Sequence, residues 1–174
     1  MKTTKFIFTL GIALTLATAV AFSAENEKMD KATADETAFL KKAADGGMTE
    51  VELGKIAQKN GQKESVKSFG SHMVKDHGKA NDDLKSIAGK MNVMLPDKVS
   101  AEHQAKIDQM TKMTGDAFDT AYAKGMVEDH EKTIAEFEKA SGIAKNADLK
   151  KFVDDTLPTL RHHLKMAKEM QAAK

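Results

Sequence analysis

The chain has 174 residues, 27 of them Lys or Arg against 26 Asp or Glu, and no cysteine. So even a balance gives no electrostatic footprint for nucleic acid. The lack of cysteine excludes disulfides, thiolate nucleophiles, thiolate metal sites and lipoprotein anchoring, leaving His, Met and carboxylates as the available metal ligands.

In chain order, residues 1–24 read as a signal peptide. Lys2 and Lys5 flank the start of an apolar run from Phe6 to Ala17, and Ala19-Val20-Ala21 supplies small residues for cleavage after residue 21 to 24. Export from a bacterial cytoplasm to the periplasm or beyond is expected, with no integral membrane segment once the leader is removed. An uncleaved anchor is the alternative, although the apolar run is short of a comfortable span. Residues 25–32 are polar and are expected to form a flexible leader. The remainder, 33–174, is of ordinary single-domain size. It is rich in Ala, Lys, Glu, Asp and Met and shows no alternating β-branched or aromatic run, so an all-α domain is predicted.

The first long helix is expected over Thr33–Lys59, with Leu40, Ala43, Ala44, Gly47, Val51 and Gly54 inward and Asn60-Gly61 breaking it. A second follows over Lys63–Met91 on Val66, Phe69, Met73, His77, Leu84 and Ile87. After Leu95-Pro96-Asp97, Ser100 can cap a short helix over Ala101–Met113. The third long helix, Asp116–Ser141, uses Phe118, Tyr122, Met126, His130, Ile134 and Phe137 and is expected to stop at Gly142. The fourth, Ala147–Ala173, uses Leu149, Phe152, Thr156, Leu160, His163, Ala167 and Met170, with Pro158 introducing a kink. More than twenty residues join the second and third long helices, where adjacent antiparallel helices need about 2 to 8. The link is therefore expected to cross back along the bundle, leaving those two helices parallel.

One phrase occurs twice, as Met73-Val74-Lys75-Asp76-His77 and, 53 positions later, as Met126-Val127-Glu128-Asp129-His130. Met and His four apart share a helix face, here the face that meets the core. His163 has a comparable apolar setting on the last helix, and Glu50 falls on the inner stripe of the first, whereas Glu52 sits with Lys55 and Lys59 outside. His72 and His103 read as surface. With the crossover, Glu50, His77, His130 and His163 cluster within about two helical turns, and a simple meander scatters the outer two by about 14 Å. Arg161 is either a clamp on Asp76 or Asp129 or an ordinary surface arginine, and Tyr122 reads as a packed aromatic.

Five strings in fixed order resemble the bacterial exported family catalogued as domain of unknown function 4142. They are Gly46-Gly47-Met48-Thr49-Glu50-Val51-Glu52-Leu53-Gly54, Met73 to His77, Gly115-Asp116-Ala117-Phe118-Asp119, Met126 to His130, and Leu157-Pro158-Thr159-Leu160-Arg161-His162-His163-Leu164. The resemblance spans about Asp35 to Lys168. It implies a ferritin-like four-helix bundle of unestablished activity, with recurrent motif positions at Glu50, His77, His130 and His163. No Glu or Asp stands three before any His, so the Glu-x-x-His pairs of di-iron carboxylate sites are missing.

Three functional readings follow. In the first, Glu50, His77, His130 and His163 bind zinc, copper(II) or iron(II) between helices. In the second, the thioethers of Met73, Met126 and Met166 join His72, His77, His130 or His162 around copper(I), a soft ion. In the third, the chain is a structural or stress-related bundle acting through protein or envelope contacts, with no metal. Homo-oligomerisation is compatible with all three. An enzyme ranks below them, because the sequence carries no phosphate loop and no trustworthy catalytic triad.

Overall fold

The computed structural model describes residues 31–173; the leader expected over 1–24 and most of the polar segment after it lie outside the described residues. Five helices follow one another, α1 (Ala34–Asn60), α2 (Glu64–Lys90), α3 (Ala101–Thr111), α4 (Gly115–Ile143) and α5 (Ala147–Ala172). The long four form a ferritin-like bundle, and α3 lies in the link between α2 and α4. None of the described helices is long and apolar enough to cross a membrane.

Capping residues set the helix starts. Thr33 and Glu36 form a reciprocal capping box on α1, and the Asn146 side chain accepts from the Leu149 N–H at the start of α5 (3.0 Å). The link leaves α2 through Asn92, which adopts a positive φ of 54°. α5 runs through Pro158 as one continuous helix.

The crossover is read from the two halves of the core. One cluster joins Leu40 and Ala44 of early α1 to Leu84 and Ile87 of late α2, Phe137 of late α4 and Leu149 of early α5. The other joins Leu53 and Ala57 of late α1 to Val66 and Phe69 of early α2, Phe118 and Tyr122 of early α4 and Ala167 of late α5. Thus α2 and α4 point the same way, as the long link requires. Within this frame α1 packs along α2, α4 along α5, and α3 against α1 and α4.

A buried carboxylate ties each end. Glu36 accepts from the N–H groups of Lys145 and Asn146 (2.8 and 2.9 Å), fastening the start of α1 to the α4–α5 turn. Asp119 accepts from Gln62 and Lys63 (both 2.9 Å), fastening α4 to the α1–α2 turn. The Glu36 bonds also help explain why α4 passes Gly142: its last turn runs to Ile143, and the Ala144 N–H closes on the Ala140 carbonyl (2.8 Å) before the held residues begin. The inner face of α1 also differs from expectation, since Leu53 and Ala57 are buried while Val51 is half-buried. Packing by α2 on one side and by α3 and α4 on another widens the stripe beyond a single helical face.

Candidate metal centre

Three imidazoles meet between the two core clusters, His77 from α2, His130 from α4 and His163 from α5. One nitrogen from each lies within 4.8 Å of the other two. His130 and His163 are about 1 % exposed and His77 about 9 %. Their ring centroids stand 5.9 Å (His77–His130), 5.4 Å (His77–His163) and 5.5 Å (His130–His163) apart. Phe69 lies beside the trio, edge-on to His163 at 6.0 Å and to His130 at 6.4 Å.

Two of the rings are oriented by partners of their own. His130 Nδ1–H donates to the Met126 carbonyl one turn back (2.8 Å), which leaves Nε2 as a bare lone pair. His163 Nε2–H donates to Asp76 (3.0 Å), which leaves Nδ1 bare. His77 Nε2, His130 Nε2 and His163 Nδ1 are buried with no partner in the protein. The repeated Met-x-x-x-His phrase thus acts in α4 through the methionine's backbone carbonyl.

Asp76, the partner of His163, is the site residue that sequence reasoning missed. Its position next to His77 in the repeated phrase is a signal that could have found it. The corresponding Asp129 turns instead to Lys106 of α3 in a close ion pair. Arg161 takes neither aspartate; it pairs with Glu138 on the surface (2.9 Å).

Glu50 is buried, and it shares with His77 and His130 the wall of a cleft of about 540 Å³ that Asn81, Lys106 and Asp129 also line. Its carboxylate is outside the group of three nitrogens. Oε2 has no partner in the protein, nor does the hydroxyl of Tyr122, whose ring stacks on Phe118 at 5.4 Å. Of the secondary candidates, Met73 and Met126 are fully buried one turn before their histidines, Met166 is half-buried and His162 is exposed. His72 is exposed, whereas His103 is half-buried against Asp45 (3.0 Å).

The electrostatics keep the imidazoles neutral. Burial, then the charges of His130 and His163, hold His77 well below the usual histidine range. Burial and the proximity of His163 bring His130 down to about 4. His163 is lowered by burial, against the opposing pull of Asp76. Burial, with Asp129 adding to it, pushes Glu50 up to about 8, so it carries a proton at neutral pH in the free protein. Burial and the nearby Glu50 raise Tyr122 well above its ordinary value. Neutral nitrogens with bare lone pairs are the form in which histidine ligates a metal.

Comparison with solved structures shows the same fold at low identity. "Crystal structure of DUF305 fragment from Deinococcus radiodurans" superimposes with a TM-score of 0.73 at 12% identity, covering 83% of this chain and 99% of that one. "CopM in the Cu(I)-bound form" gives 0.66 at 12% identity, covering 79% and 95%. No curated protein matches the chain. The family model described as Domain of unknown function (DUF4142) matches residues 21–170, and the chain belongs to that family.

Proposed function

We propose that this bundle binds a transition metal ion between α2, α4 and α5 through His77, His130 and His163. The observation that carries the reading is the convergence of three buried, neutral imidazole nitrogens, none with a partner in the protein. A buried polar atom left unpaired costs about 1–3 kcal/mol. Three together cost a sizeable part of the roughly 5–15 kcal/mol that stabilises a domain, so a partner from outside the chain is favoured. The bonds that the His130 and His163 rings donate elsewhere leave a lone pair on each remaining nitrogen, and a cation is a partner that satisfies these two and His77 Nε2 at once.

The donor set suits zinc, copper or iron(II). Tetrahedral nitrogen ligands at about 2.0–2.1 Å from an ion stand roughly 3.4 Å apart, so the rings close in by side-chain rotation of order 1 Å. Asp76 and the Met126 carbonyl fix two of the tautomers, the role that outer partners of ligating histidines commonly have. Copper is the first ion to test, because a bundle of the same fold is described in a Cu(I)-bound form. The protein works in the periplasm or outside the cell, a location supported by the basic, apolar and small-residue pattern of residues 1–24.

The test is native mass spectrometry and competition titration on untagged protein. One ion per chain is expected, and His77→Ala, His130→Ala and His163→Ala each lower affinity by at least about a hundredfold, the loss of a ligand exceeding the 10–100-fold of an outer-partner change. Asp76→Asn falls within that smaller range. If copper, zinc and iron all fail to bind the wild type, the bundle is structural and acts through protein or envelope contacts.

Met73 and Met126 supply the competing soft-ligand reading. Met73→Leu with Met126→Leu roughly conserves volume. Copper(I) affinity is expected to survive the double change, and a loss comparable to that of a histidine substitution makes the thioethers ligands.

A further inference from the structure

Two further buried side-chain atoms lack a partner, Oε2 of Glu50, which lines the same cleft as His77 and His130, and the hydroxyl of Tyr122. The only other such atom among the described residues, Nδ1 of His103, has Asp45 at 3.0 Å. Three imidazoles fill three corners of a tetrahedral ion and leave a fourth. Phe69 walls the trio with an apolar ring, while the cleft reaches His77 and His130 from the side where Glu50, Lys106 and Asp129 stand.

We propose that the fourth metal position opens toward this cleft and takes a water or a small anion, hydrogen-bonded by Glu50, so that Glu50 recognises the incoming ligand and does not itself coordinate the ion. This rests on the metal reading above. Three observations support it. The Glu50 carboxylate lies outside the group of nitrogens that can meet one ion. Its Oε2 is buried and unpaired, on a residue that lines the same cleft as His77 and His130. Charged groups of both signs line the cleft, among them Lys42 paired with Glu136, Lys106 paired with Asp129, and Lys132, so a water or small ion entering it meets polar partners.

Azide is the probe, added to the copper(II)-loaded full chain and followed by its charge-transfer band. The wild type is expected to bind one azide per copper. Glu50→Gln, which keeps a donor of the same shape, retains the affinity. Glu50→Leu weakens azide about ten- to a hundredfold, the effect of losing a hydrogen bond to a charged group. Copper affinity stays unchanged in both. Glu50→Met, nearer in length, gives the same reading should leucine pack badly. A fall in copper affinity on Glu50→Leu and Glu50→Met makes Glu50 a ligand and overturns the proposal. So does equal azide binding by wild type and Leu variant, or no azide binding by the loaded wild type. A wild type that takes up no metal overturns the metal reading itself, and this inference with it.

Discussion

His130 and Glu50 respond to the same burial with opposite charge logic, because burial disfavours the ionised form of each. The three histidines titrate lower in the folded protein than in the unfolded chain, where the value is near 6.5. Below 6.5 the unfolded chain therefore binds more protons, and their contribution, intact above 6.5, is lost as pH falls toward the folded values, about 4 for His130. Glu50 keeps its proton when folded up to about 8 but ionises near 4.5 when unfolded, so its contribution is intact below 4.5 and is lost as pH rises toward 8. The lowered histidines act together against Glu50 as pH falls below 6.5, and Glu50 acts alone above that. The metal-free protein is expected to be most stable near pH 6.5, falling by on the order of 1 kcal/mol per pH unit on the alkaline side. Urea unfolding with chelator, at about pH 5, 6.5 and 8, measures this. Glu50→Gln should flatten the alkaline limb alone, and an unchanged limb would show that the carboxyl is not held un-ionised by burial.

The α1–α2 pair illustrates which parts of the fold a helical pattern reveals. Gly54 and Gly70 bring the two backbones together: a Cβ on Gly70 meets the Gly54 carbonyl at 2.6 Å, and one on Gly54 meets the Gly70 carbonyl at 2.8 Å. Neither backbone can swing away as a flexible side chain does, so Gly70→Ala is expected to destabilise by about 1–3 kcal/mol. Gly78 on the same helix has nothing within 4 Å of an added Cβ, and Gly78→Ala should stabilise by about 0.5–1 kcal/mol. Denaturant midpoints that move alike for the two variants would remove close approach as the reason for Gly70. The sequence made the four long helices legible because their apolar residues recur at helical spacing, and it made the crossover legible because the link is too long for a tight turn. His77, His130, His163 and Glu50 stood out as polar residues on apolar stripes. The Lys106–Asp129 and Asp76–His163 pairs did not, since each depends on how separate helices rotate against one another. Leu53 and Ala57 were missed for a similar reason, their burial arising from packing on more than one side of α1.

At the scale of the whole molecule, the trio sits between the two core clusters, and its members come from three of the four long helices. An ion bound there would fasten α2 to α4 and α5, although α2 and α4 lie diagonally across the bundle and depend on α1 and α5 for their mutual alignment. The unfolded chain holds these histidines far apart in sequence, so it has little affinity for one ion through all three, and metal binding adds directly to folding stability. At a free metal concentration a hundred times the dissociation constant, the gain is about 2.7 kcal/mol. For a domain of this length that raises the melting temperature by roughly 5–10 °C. Protons compete only as the folded imidazoles charge, and their lowered pKa values shift that competition to more acid conditions than an exposed histidine cluster would show. The metal-dependent rise should therefore persist at about pH 5.5 and disappear near pH 4. Thermal unfolding with and without copper, zinc and iron salts, for the wild type and each His→Ala variant, measures it. Each variant should lose the rise while still forming helix. A wild type whose melting temperature no metal raises, alongside variants that all destabilise to a similar degree, identifies the three histidines as core residues and the protein as a structural bundle.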